Sequence, residues 1–248
     1  MNINKHINQN IMFLTFKIAN IFTTIDTRIN RSSLEQNDMI ENEFWNMISL
    51  LELVLAHNKL EEPQSIHNIS YFTEQIYKEV QLNYPKLNIS DEEIENVSKL
   101  ATIHDIGKLF TPYEILNKKG KLTKDEMDII KKHPLNGANM ALKLPKCGKA
   151  SKLVQYAYNI CLYHHERYDG QGYPKGLIGD EIPLCAQVVG LADAYDALIS
   201  ERPYKRKINH CEAVRMIVNG ECGSFSPKVI LSFIIASMNK TWIEKVSK

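Results

Sequence analysis

The apolar positions of this chain fall almost everywhere at helical spacing. Phe44, Met47, Ile48, Leu51, Val54 and Leu55 line one face of a strongly amphipathic helix. Pro63 marks a boundary, and His67 opens the next segment, in which Phe72, Ile76 and Val80 recur every four residues until Asn83-Tyr84-Pro85 ends it. Ser90-x-x-Glu93 and Thr123-x-x-Glu126 have the form of capping boxes. The first predicts a helix running into His104-Asp105, interrupted at Gly107 and Pro112; the second predicts one reaching Lys132. Pro134 suits the first turn of a helix that extends to Leu144 and stops at Pro145. Leu153, Val154, Ala157, Ile160 and Cys161 predict a helix over residues 149–164. A long helix starts at Pro183, passes Ala186, Val189, Leu191, Ala194 and Leu198, and breaks at Arg202-Pro203-Tyr204. Two more follow, around 211–218 and 228–238. Outside the turn region 176–182 no stretch alternates with period two. The expected fold class is all-α.

The first thirty residues carry a different pattern. Ile7, Ile11, Leu14, Ile18, Ile21 and Ile25 are spaced by fours and threes, which is a short heptad seam. Two readings stay open: an amphipathic helix packed on the domain's own core, or a coiled coil that makes a homodimer or engages a partner. A break at Arg31-Ser32 precedes a helix start that Ser33 could cap, with Gln36 in the reciprocal position. The expected division is an N-terminal helical extension over residues 1–42 and a compact domain over 43–248.

Composition narrows the classes. The 248 residues are 44% hydrophobic, enough for one sizeable core. A net charge of +1 gives no ground for binding a nucleic-acid polymer or an acidic membrane. The run Ile11 to Phe16, broken by Lys17, is far shorter than the roughly 20 residues of a membrane span. Five cysteines, Cys147, Cys161, Cys185, Cys211 and Cys222, form no Cys-x-x-Cys pair. They read as small core residues in a reducing compartment, so a cytoplasmic protein is expected.

Candidate chemistry concentrates at the histidines. His164 and His165 are adjacent at a helix end, and a loop with three glycines follows in His164-His165-Glu166-Arg167-Tyr168-Asp169-Gly170-Gln171-Gly172-Tyr173-Pro174. Neighbours on a helix point about 100° apart, so two such histidines can serve two ions, or one ion where the helix ends. His104 precedes Asp105, while His133 and His67 stand at helix starts. Helix-borne imidazoles and carboxylates commonly converge in a bundle core. That donor set suits iron, manganese, nickel or zinc. A carboxylate such as Asp105 can bridge two ions about 3.5–4 Å apart, which together acidify a water and neutralise phosphate oxygens. Asp193 lies mid-helix among apolar residues, where an unpaired carboxylate is costly and calls for a metal or a cation. His6, His57 and His210 have no such context and read as surface residues.

These residues together resemble the HD-GYP family of cyclic di-GMP phosphodiesterases, a branch of the HD phosphohydrolases. The matching motifs are His104-Asp105-Ile106-Gly107-Lys108, His133-Pro134 with Gly137, the histidine pair with its glycine-tyrosine-proline loop, Glu181-Ile182-Pro183-Leu184, Ala192-Asp193 with Asp196-Ala197-Leu198, and Arg202-Pro203-Tyr204-Lys205. They span roughly residues 45 to 238. The resemblance implies an HD-type helical bundle with a metal centre in its core, usually iron or manganese. It implies hydrolysis of cyclic di-GMP to the linear dinucleotide and, in many members, onward to GMP. The implied ligands are His67, His104, Asp105, His133, His164, His165 and Asp193, with Asp105 bridging. Lys108 would stabilise charge or handle a proton beside the scissile phosphate, and Tyr173, Arg202, Lys205 and Asp196 would hold the substrate.

Three departures from the family pattern bear on this. Ser70 stands where arginine is usual three residues after His67, and Pro63 where some members carry a glutamate for a third metal, so two divalent ions are expected. Ser226 replaces a usual aspartate before Pro227. A silent cyclic dinucleotide receptor, and the same hydrolysis on another cyclic dinucleotide, remain the competing functions. About forty residues precede the domain, too few for a receiver module, so regulation is expected through oligomerisation, a partner protein, or metal and redox supply.

Overall fold

A computed structural model describes residues 33–58, 60, 62–146, 148–201 and 207–246. The heptad seam, the side chains of Ser33 and Gln36, Cys147, Arg202 and Lys205 lie outside the described residues. The fold is built from helices α1 (Ser33–His57), α2 (Pro63–Asn83), α3 (Asp91–Leu100), α4 (Tyr113–Leu116), α5 (Lys124–Ile130), α6 (His133–Ala141), α7 (Lys149–Tyr163), α8 (Leu184–Ile199), α9 (His210–Val218), α10 (Pro227–Ser237) and α11 (Lys240–Val246). Among the described residues the extended pairing is a single antiparallel bridge, Asp169 with Ile178. No described helix is long and apolar enough to cross a membrane.

Local sequence sets most of the helix ends. Pro63 occupies the first turn of α2, where its missing N–H costs nothing, so the helix starts a full turn before His67. Ser90 caps α3 by accepting from the Glu93 N–H at 3.1 Å, and Asp91, Glu92 and Glu93 in the first turn suit the helix dipole. Its reciprocal half is absent, because the Glu93 carboxylate accepts instead from the Tyr77 hydroxyl at 2.6 Å. At α5 the box is complete: the Glu126 N–H donates to Thr123 Oγ1 at 3.2 Å, and the Thr123 N–H to Glu126 Oε2 at 2.7 Å. The α1 helix passes residue 42 without a break, so residues 33–42 continue into the first core helix.

At the centre, α2 packs on α3, α8 and α10, while α7 joins α6 and α8. The buried face of α2 is Ile66, Ile69, Phe72, Thr73, Ile76, Tyr77 and Val80. Phe72 is fully buried and meets Tyr195 edge-on at 5.0 Å and Trp242 at 4.5 Å. Truncating such a side chain costs about 3–5 kcal/mol. Trp242 arrives from α11, a helix the periodicity does not predict, and its indole N–H donates to the Tyr195 hydroxyl at 3.1 Å. Tyr195 in turn reaches His210 Nδ1 at 2.8 Å, so His210 is half-buried and structural, not a surface residue as expected. The cysteine expectation divides as well. Cys161 and Cys185 are buried, Cys222 is partly exposed and Cys211 is exposed.

Candidate metal centre

Four segments meet in the core. His104 follows the 3-10 turn Ala101–Ile103 at the end of α3, and Asp105 opens the 3-10 turn Ile106–Phe110. His133 begins α6, His164 caps the end of α7, and Asp193 lies in the middle of α8. Two glycines let these segments close up. A Cβ on Gly107 would stand 1.9 Å from the His133 carbonyl oxygen, and one on Gly190 would stand 2.3 Å from that of His164. Any larger residue would push apart the backbones that carry these histidines.

Three imidazoles are oriented in the same way. His104 Nδ1 is 2.9 Å from the Ala101 carbonyl, His133 Nδ1 is 2.8 Å from that of Ile130, and His164 Nδ1 is 3.0 Å from both Ile160 and Cys161. A carbonyl accepts only, so each Nδ1 carries a proton and Nε2 is the ring atom turned to the site, a lone-pair donor when the ring is neutral. All three Nε2 atoms turn toward Asp105. Oδ1 of Asp105 lies 2.9 Å from His133 Nε2 and 3.7 Å from His164 Nε2. Its Oδ2 lies 3.2 Å from His104 Nε2 and pairs with the Lys108 ammonium. Asp193 Oδ1 stands 3.7 Å from His104 Nε2 on that same side. The two oxygens of Asp105 therefore face two different sets of donors.

The arrangement fits a cation. Ligand atoms of Asp105, His133, His164 and His165 all lie within 4.8 Å of one another. His133 Nε2 and His164 Nε2 approach to 3.3 Å, where two lone pairs repel unless positive charge lies between or beside them. His104 Nε2 and Asp105 Oδ1 are buried and make no hydrogen bond of good geometry, and such orphaned polar atoms are rare in native cores.

Burial alone would raise the Asp105 pKa, but the Lys108 ammonium and then the His104 and His133 rings hold it well below the usual carboxylate range. Burial pulls His104 down, yet the Asp105 and Asp193 carboxylates outweigh it and lift the imidazole well above its ordinary value. His164 and His165 are lowered, chiefly by burial, which favours the neutral form that ligates metals.

The loop after the histidine pair is held by residues for which the sequence offered no separate role. Glu166 is 4% exposed, and its carboxylate accepts the Lys175 N–H at 2.7 Å and the Leu177 N–H at 3.1 Å. That folds the chain back so that the Tyr173 ring stacks on His165 at 4.7 Å. Arg167 donates to the His164 and Glu166 carbonyls at 3.2 and 2.8 Å and covers the Phe225 ring. A charged residue directly after the histidine pair was the available signal, and its target is visible only once the loop is folded.

Two expected site residues stand elsewhere. His67 is exposed on α2 and outside the four-residue group, because the helix turns Ser65, Ile66, Asn68 and Ile69 inward and leaves residue 67 facing out. Asp196, expected to hold substrate, is fully buried. Its carboxylate accepts from Ser65 Oγ at 2.5 Å, Asn68 Nδ2 at 2.8 Å and Ser200 Oγ at 3.1 Å, which fastens α2 to α8.

A family model for the HD domain matches residues 52–229. The chain belongs to the HD domain family. Within that family it carries the HD-GYP motif set described above. It is 42% identical over 151 residues to the cyclic di-GMP phosphodiesterase PA4108 of Pseudomonas aeruginosa, covering 61% of this chain and 35% of that protein. It is 34% identical over 143 residues to a 3'3'-cGAMP-specific phosphodiesterase 2 of Vibrio cholerae, covering 57% of this chain and 26% of the relative. The chain thus spans only 26–50% of the length of the curated relatives it matches. Among solved structures, a cyclic GMP-AMP specific phosphodiesterase of Vibrio cholerae superposes with a TM-score of 0.56 at 18% identity, over 83% of this chain and 51% of that one, a likeness of fold.

Proposed function

We propose that this HD domain is a metal-dependent phosphodiesterase that hydrolyses cyclic di-GMP to the linear dinucleotide. The observation that carries the reading is the Asp105 carboxylate, with three backbone-oriented imidazoles turned onto its two oxygens. His133, His164 and His165 on one side and His104 with Asp193 on the other would hold two divalent ions, bridged by Asp105. A nitrogen and oxygen donor set with no thiolate suits iron or manganese. When bound, such ions acidify a water and neutralise phosphoryl oxygens.

The chain's own residues do the rest. Backbone bonds to Nδ1 fix each ring so that its Nε2 is available without rearrangement. Lys108, paired with Asp105 on its Oδ2 side, offsets the negative charge that grows on the scissile phosphate or handles a proton beside it. Glu166 keeps Tyr173 beside His165, where the tyrosine borders the substrate. Arg202 and Lys205 are assigned to the substrate phosphates on chemistry alone, since arginine pairs bidentately with phosphate.

Purified protein loaded with iron or manganese should convert cyclic di-GMP to the linear product, and a chelator should stop it. His104→Ala and Asp105→Ala should abolish turnover; unchanged turnover in either variant sinks the mechanism. A second reading, hydrolysis of 3'3'-cyclic GMP-AMP, is favoured by the relative with that printed specificity. Competition between the two dinucleotides at equal concentration decides between them.

A further inference from the structure

We infer that Lys131 is a further substrate-binding residue, a rim cation that takes the phosphate of the cyclic dinucleotide not lying on the metal ligands. This rests on the phosphodiesterase reading above and adds to it. Lys131 is exposed, and its ammonium stands 5.3 Å from the centre of the Tyr173 ring, the ring that stacks on His165. Among the described residues no carboxylate pairs with it. Exposed lysines are common, and a lysine over an exposed aromatic ring is worth only about 0.5–1 kcal/mol by itself.

The backbone makes this lysine different. Lys131 sits in the two-residue link between α5 and α6, two positions before His133. Its N–H donates to the Met127 carbonyl at 2.9 Å, the Lys132 N–H donates to Ile129 at 3.2 Å, and the preceding Ile130 carbonyl receives His133 Nδ1 at 2.8 Å. The Cα of Lys131 is thus held between two helix-end bonds and next to the carbonyl that orients the His133 imidazole. A fixed stem and a flexible, unpaired ammonium next to the Tyr173–His165 stack is how a lysine serves as a point charge for phosphate. A cyclic dinucleotide carries two phosphodiesters. One belongs over Asp105 and Lys108; the second needs cationic contacts away from the candidate metal ligands, and Lys131 is placed to supply one.

The test compares Lys131→Ala, Lys131→Arg and the neighbouring exposed Lys132→Ala, each loaded with manganese. Lys131→Ala should raise KM for cyclic di-GMP roughly tenfold, with kcat within about twofold, from loss of one charge-assisted contact. Its KM should also rise less steeply with added salt than that of the wild type, because one screened attraction is gone. Lys131→Arg should restore most of the affinity, and Lys132→Ala should match the wild type. Unchanged KM in Lys131→Ala, or an equal effect in Lys132→Ala, overturns the inference. If the wild type turns over no cyclic dinucleotide, the phosphodiesterase reading fails. The inference is then judged by equilibrium binding of cyclic di-GMP: a roughly tenfold weaker Kd in Lys131→Ala supports it, and an equal Kd overturns it.

Discussion

Asp105 and Asp196 are both buried aspartates, at 4% and 0% exposure, and their surroundings give them opposite characters. Around Asp105 stand the Lys108 ammonium and three imidazoles, and its pKa is held well down. Around Asp196 stand two hydroxyls and an amide, all neutral donors. Burial pushes that carboxyl up, and the bonds from Ser65, Asn68 and Ser200 recover only part of the shift. One carboxylate is kept charged for cations. The other ties two helices together, and it lies three residues from Asp193 on the same helix. Residue type and burial do not separate a candidate metal ligand from a brace; the charge and polarity of the neighbours do.

The largest expected effect breaks the comparison from the side of function. Asp105→Ala should lose bound metal and lower turnover by more than roughly 100-fold, since even outer-shell partners of metal ligands are worth 10–100-fold. Elemental analysis together with product chromatography measures both. Asp196→Ala should instead act on stability. It strands the Ser65 and Asn68 donors in the core, at about 3 kcal/mol or roughly 10 °C in Tm. Calorimetry reads that loss, and a protein that kept its Tm but lost its metal would erase the distinction.

A finer contrast lies in pH, measured on metal-free protein. Asp105 has a folded pKa below its ordinary 3.8, so its contribution is present above that value and fades as pH falls through the lowered one. Asp196 has a folded pKa above 3.8, so its contribution is full below 3.8 and is lost as pH rises through the raised one. The stability deficit of Asp105→Asn should therefore grow as pH rises toward 3.8 and then level off, and that of Asp196→Asn should shrink as pH rises above 3.8. Parallel slopes would show the two aspartates to be alike. The smallest effect should come from Ser200→Ala, which removes only the 3.1 Å bond to Asp196. About 0.5–1 kcal/mol is expected in denaturant titration, with metal content unchanged.

Much of the fold and the site could be read along the chain, because the signals involved are local. Proline at a first helical turn, the Thr123 box and the four-residue recurrence on α2 fix helices within a few residues of themselves. The histidine and aspartate motifs likewise named Asp105, His133, His164 and His165, which the fold brings together. Less legible was anything that depends on a distant neighbour. Glu166 looks like another charged loop residue until the N–H groups of Lys175 and Leu177 arrive at its carboxylate. His210 looks like a surface residue until the Tyr195 hydroxyl, itself held by Trp242, reaches its ring.

The sequence by itself determined the helical class and the ordered set of donors that a metal centre requires. Both follow from chemistry carried within a few adjacent residues. Only the tertiary structure decided where each donor points. It left His67 outside on α2, buried Asp196 as a brace between α2 and α8, and set the two oxygens of Asp105 toward separate groups. Helix phase and close backbone approach, permitted at Gly107 and Gly190, set these directions, and they exist only once distant segments pack.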